Sequence, residues 1–96
     1  MLENVFKQKL ISRLRDEYPG CILAHLDPNE TQGIPDILIL FGDRWAVLEG
    51  KKCATASRRP NQQYYIDKMN DMSFGRFIYP ENEEEVLYEL EQALRS

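Results

Sequence analysis

The sequence predicts an α/β domain: one mixed central sheet flanked by helices, in the order α-β-β-β-α-β-α, with residues 1–96 as a single domain. Three observations carry this expectation. The opening segment repeats apolar residues at helical spacing. The middle holds apolar runs too short for helices and separated by turn residues. The last third alternates helical and extended patterns.

The elements follow in order. Residues 2–18 place Leu2, Val5, Phe6, Leu10, Ile11 and Leu14 at helical spacing with Lys and Arg between them, and Pro19-Gly20 ends the pattern. Residues 21–26 read as a short strand. Residues 27–33 are loop by composition. Residues 34–41 are an apolar run interrupted by one charge, Asp36, and Gly42-Asp43 is a turn before a further strand at 44–51. A polar loop at 52–59 leads to a helix at 61–72, with Pro60 near its start. Residues 74–79 read as a strand stopped by Pro80. Residues 82–95 form a last helix with Val86, Leu87, Leu90 and Leu94 on one side.

Composition narrows the function classes. A chain that is 43% hydrophobic suits a globular domain. No apolar run approaches the roughly 18 residues of a membrane span, and the N-terminal segment lacks the apolar core of a signal peptide. These features predict a cytoplasmic protein without a membrane partner. Cys21 and Cys53 fit no metal spacing and read as free thiols. The net charge of −4 is unevenly spread: residues 81–96 hold six acids and one base, whereas residues 1–80 hold ten acids and eleven bases. Lys51, Lys52, Arg58 and Arg59 form a stretch without an acid. It suits contact with phosphates, and it equally suits a solvated loop.

The hairpin across Gly42-Asp43 carries the chemistry. A two-residue turn pairs Phe41 with Arg44 and, counting outward, Asp36 with Glu49. Directly opposed side chains share a face at roughly 5 Å, and Lys51, two residues on, shares it too. Leu38, Leu40, Trp45 and Val47 lie on this charged face; Ile37, Ile39, Ala46 and Leu48 lie on the other. Helices are expected over both. Two carboxylates facing each other at the edge of a core repel, and burial pushes one toward protonation. A divalent cation such as Mg²⁺ resolves the conflict, because it binds one or two carboxylates together with water and phosphate. The alternative is that Lys51 neutralises one acid and solvent the other.

Gly33-Ile34-Pro35-Asp36 followed by Glu49-Gly50-Lys51 resembles the PD-(D/E)xK signature of metal-dependent nucleases, a group with a restriction-endonuclease-like core that includes repair nucleases and Holliday-junction resolvases. Arg59-Pro60-Asn61-Gln62 resembles the Pro-x-Gln element of its VRR-NUC branch, small stand-alone members of which occur in bacteriophages and bacteria. Lys52 and Cys53 after the lysine depart from that branch's own motif. The likeness covers roughly residues 3–80.

The resemblance implies roles. Asp36, Glu49 and the backbone carbonyl of Gly50 would hold Mg²⁺, with Mn²⁺ as a substitute. Lys51 would orient or deprotonate the attacking water or stabilise charge on the phosphate, and Gln62 would point to the same site. Glu3, on the inward side of the first helix with Phe6 and Leu10, would complete the metal site; an acid in a first helical turn also favours the helix dipole on its own account. Lys52, Arg58 and Arg59 would contact DNA phosphates. The implied activity is hydrolysis of DNA phosphodiester bonds, with branched DNA such as Holliday junctions as a candidate substrate and a homodimer as the working unit. A phage-encoded member would act in the host cytoplasm. Two other functions remain: a DNA-binding module that does not cleave, and a protein-interaction domain using the acidic last helix.

Overall fold

A computed structural model describes residues 1–96 and has the expected element order. Helix α1 (Glu3–Glu17) leads to strands β1 (Ile22–His25), β2 (Ile37–Phe41) and β3 (Arg44–Gly50). Helix α2 (Gln62–Met72) then crosses to β4 (Gly75–Ile78), and α3 (Glu83–Arg95) closes the chain. A short 3₁₀ turn, Pro80–Asn82, precedes α3. The four strands lie side by side in chain order, with β1–β2 and β2–β3 antiparallel and β3–β4 parallel. No helix is long and apolar enough to cross a membrane.

The main core lies on one face of the sheet. There Ile37, Ile39, Ala46, Leu48 and Ile78 meet Phe6, Leu10 and Leu14 of α1 and Val86, Leu87, Leu90 and Leu94 of α3. The apolar stripes of both helices are thus consumed by the sheet, as their periodicity requires. The opposite face is covered unevenly. Helix α2 packs on β3 and β4, where Val47, Ile66 and Phe77 are buried outside the main core. The half over β1 and β2 has no helix, so Ile22 and Leu40, paired across the strands, are exposed. The expectation of helices over both faces is therefore met on one face and on half of the other.

All four strands are shorter than expected, β2 by the most. The apolar run at 34–41 contributes only Ile37–Phe41 to the sheet. Gly33, at φ +88, sits so close to the start of α2 that a Cβ there would lie 2.6 Å from the carbonyl carbon of Asn61. That approach holds the chain ahead of β2 beside the other helix rather than in the ladder. Asp36 is already back in register with β1: its carbonyl accepts the Leu26 N–H at 3.1 Å, one step beyond the His25–Ile37 pair.

Candidate active site

The hairpin keeps the register expected from its turn: Phe41 opposes Arg44 and Ile37 opposes Leu48. One step further sets Asp36 opposite Glu49. Both end up inside a cleft of about 490 Å³ formed where four parts of the chain converge. Helix α1 contributes Glu3 and Lys7, the loop before β2 contributes Gly33, Ile34 and Asp36, and the β3 end contributes Glu49 and Lys51. Arg59, Pro60 and Gln62 come from the start of α2.

Glu49 and Lys51 are nearly enclosed, at 4% and 6% exposure, and Gln62 is at 8%. The parallel partner strand fixes the β3 end, because Lys51 N–H donates to the Ile78 carbonyl at 2.8 Å. The Gln62 side-chain oxygen accepts the Arg59 N–H at 2.8 Å, which ties the basic loop to the helix start.

One participant was absent from the sequence reading. Lys7 pairs with Asp36, and its ammonium is 3.4 Å from Glu3. Gly50 makes room for it: a Cβ on Gly50 would lie 2.9 Å from Cγ of Lys7. The available signal was helical phase. Lys7 stands three and seven residues before Leu10 and Leu14, both fully buried, and so continues their stripe.

The balance of charge is uneven. Burial first, and the charge of Asp36 second, push the Glu49 carboxyl from its ordinary 4.5 up to about 7, against the opposing pull of Lys7 and Lys51. Burial also works against the Lys7 ammonium, but its hydrogen bond to Asp36 and the charges of Asp36, Glu49 and Glu3 outweigh it and raise its pKa. The second oxygen of Asp36, Oδ1, is buried without a hydrogen-bond partner. Such an atom costs free energy unless something else occupies its lone pairs.

The expected residues divide into two groups. Glu3, Asp36, Glu49, Lys51, Gln62 and Arg59 share the cleft. Gly50, Lys52 and Arg58 do not line it. Lys52 is exposed. Arg58 lies over the Phe77 ring, 3.7 Å from its centroid, and donates to Gln63. His25 lines a neighbouring hollow of about 510 Å³ with Asn4, Gln8 and Ser12; Lys7 and Asp36 line both spaces.

No three acids, histidines or cysteines are gathered closely enough to hold a metal by themselves. The oxygen chemistry nevertheless fits Mg²⁺, which keeps several waters and needs only one or two carboxylates beside a substrate phosphate. Asp36, with its unpartnered oxygen, and the neighbouring Glu49 meet that requirement. Comparison with known protein families, with curated proteins and with solved structures finds no match for this chain.

Proposed function

We propose that the chain is a DNA endonuclease of the PD-(D/E)xK type that depends on Mg²⁺, accepts Mn²⁺, works as a homodimer and favours branched DNA such as Holliday junctions. The observation that carries this reading is one cleft in which two facing carboxylates, a buried lysine and an arginine converge, with a buried carboxylate oxygen of Asp36 left without a partner.

Asp36 and Glu49 hold the ion, which supplies an activated water and screens the phosphate charge. Lys51 donates to a non-bridging oxygen of the scissile phosphate, where negative charge accumulates as water attacks. Burial of its stem limits the positions its ammonium can take, so little reorganisation is needed. Gln62, tethered through Arg59 N–H, orients the water or the phosphate. Arg59 and, beyond the cleft, Lys52 and Arg58 contact the flanking backbone phosphates. Cutting both strands of a junction requires two such sites, hence two copies. The exposed Ile22 and Leu40 offer apolar surface for that association.

The test is cleavage of a four-way junction, a linear duplex and a single strand, with Mg²⁺ and with chelator, by the wild type and by Asp36→Asn. The expected result is Mg²⁺-dependent cleavage that is strongest on the junction and at least a thousandfold lower in the folded variant. No cleavage of any of the three substrates by the wild type, or undiminished cleavage by Asp36→Asn, would end the proposal.

A further inference from the structure

One of the two carboxylates assigned to the metal already holds a cation. Lys7 pairs with Asp36 and with Glu3, and its stem lies against Gly50, where a Cβ would meet Cγ at 2.9 Å and Cε at 3.2 Å. Two of the three cleft acids, Asp36 and Glu3, are therefore paired with this one side chain. Glu49 alone forms no ion pair with it. Lys7 also borders both hollows that meet at Asp36, so it has space to move into without any element of the fold shifting.

From this arrangement we infer that Lys7 is a placeholder cation: it neutralises Asp36 in the metal-free protein, and a divalent ion binds only by displacing it. The inference rests on the metal-nuclease reading. Its physical basis is exclusion. Mg²⁺ binds carboxylate oxygens at about 2.0–2.1 Å, so an ammonium on Asp36 obstructs the same oxygens and repels the incoming ion. Glu3 gives the displaced ammonium somewhere to go, since Glu3 and Lys7 are spaced four apart on the helix and stay within reach when Asp36 is released. Glu49 is the carboxylate that no ion pair holds, and Asp36 joins once Lys7 has left. The released ammonium remains at the cleft wall, where it can meet a substrate phosphate. Loading of the metal and arrival of the phosphate are then coupled through one side chain.

The cost of the exchange appears in the metal affinity, which is lowered by the fraction of molecules in which Asp36 is free. The test is titration calorimetry with Mg²⁺ and with Mn²⁺, without DNA, on the wild type, Lys7→Met and Lys7→Arg. Methionine keeps the stem over Gly50 and removes the charge. Its expected Kd is roughly tenfold tighter, with a lower Tm in chelator and a larger Tm gain on adding Mg²⁺. Arginine holds a carboxylate by two parallel hydrogen bonds and releases it less readily, so its expected Kd is weaker than that of the wild type. An unchanged or weaker Kd in Lys7→Met overturns the inference. Should Lys7→Met fail to fold, an Arg variant that binds metal as well as the wild type, or better, overturns it equally. A wild type that binds neither ion takes the nuclease reading down as well, whereas a wild type that binds and cleaves beside an unaltered Lys7→Met Kd removes only the placeholder.

Discussion

Helix α1 offers a base to each of two acidic clusters, and the two are resolved differently. Near its C-terminal end, Arg13 donates to Glu17 at 2.9 Å, to Glu83 at 3.2 Å and to Glu84 at 2.9 Å. One guanidinium spans three carboxylates, solvent reaches the rest, and the hydrogen bond from Arg13 holds the Glu84 carboxyl below its usual range. Near the N-terminal end, Lys7 is the single ammonium paired with Glu3 and Asp36 beside a buried Glu49. There a carboxyl is driven up to about 7 and an oxygen is orphaned. The first cluster fastens α1 to α3. The second retains unspent electrostatic capacity, which is the usual mark of a site that acts on something else. Much of the C-terminal acid is likewise occupied internally, by Arg13, by Arg76 through Glu89, and by Arg95 through Glu91, which leaves the net negative charge compatible with the proposed DNA substrate.

The contrast can be broken at each end. The largest effect is expected from Lys51→Met, which keeps the buried stem and removes the charge. Single-turnover cleavage should fall by two to three orders of magnitude, equivalent to roughly 3–4 kcal/mol of barrier, while melting on the same sample changes little. A wild-type rate in this variant would make Lys51 a space-filling residue only.

Next in size is the pH response of Glu49→Gln in metal-free buffer. The folded Glu49 keeps its proton up to about 7, whereas the unfolded chain releases it near 4.5. Between those values the folded state binds more protons, so stability declines as pH rises through that window. Removing the charge should therefore stabilise the protein at pH 8, by as much as about 3 kcal/mol, and do little below pH 4.5. Denaturant melts giving the same difference at both pH values would show that the carboxyl is not strained by its surroundings.

The smallest effect belongs to the other cluster. Arg13→Ala should lower Tm by only a few degrees, less in molar salt, because exposed pairs are screened and weak. A large, salt-insensitive loss would mean that the two clusters differ less than their burial indicates.

The sequence made the register legible because a two-residue turn leaves no freedom: Gly42-Asp43 sets Phe41 against Arg44, and Asp36 against Glu49 follows. Element order was equally legible, since α1 and α3 carry apolar residues at helical spacing and Pro19-Gly20, Pro60 and Pro80 mark the boundaries of the helices. Two features were not. Which helix covers which half of a face depends on the α2 crossover, and nothing in the strands themselves reveals that Ile22 and Leu40 stay open. Lys7 was hidden for a different reason. A charged residue on an apolar stripe is ordinarily read as a polar edge whose long stem reaches solvent. Here the stem runs instead along a strand, and only the missing side chain of Gly50, distant in the chain, makes that route available.

That missing side chain ties two distant positions into one choice. The atoms that a Cβ at 50 would strike belong to a flexible stem rather than to backbone, unlike those at Gly33, where a backbone carbon stands in the way. A bulkier residue at 50 is thus compatible with a shorter one at 7, and a full lysine at 7 with glycine at 50. The effects of changing the two are non-additive by construction. Substituting either alone perturbs Asp36 through the position of Lys7, so the glycine between the glutamate and the lysine helps set the ion pairing of a carboxylate it does not touch.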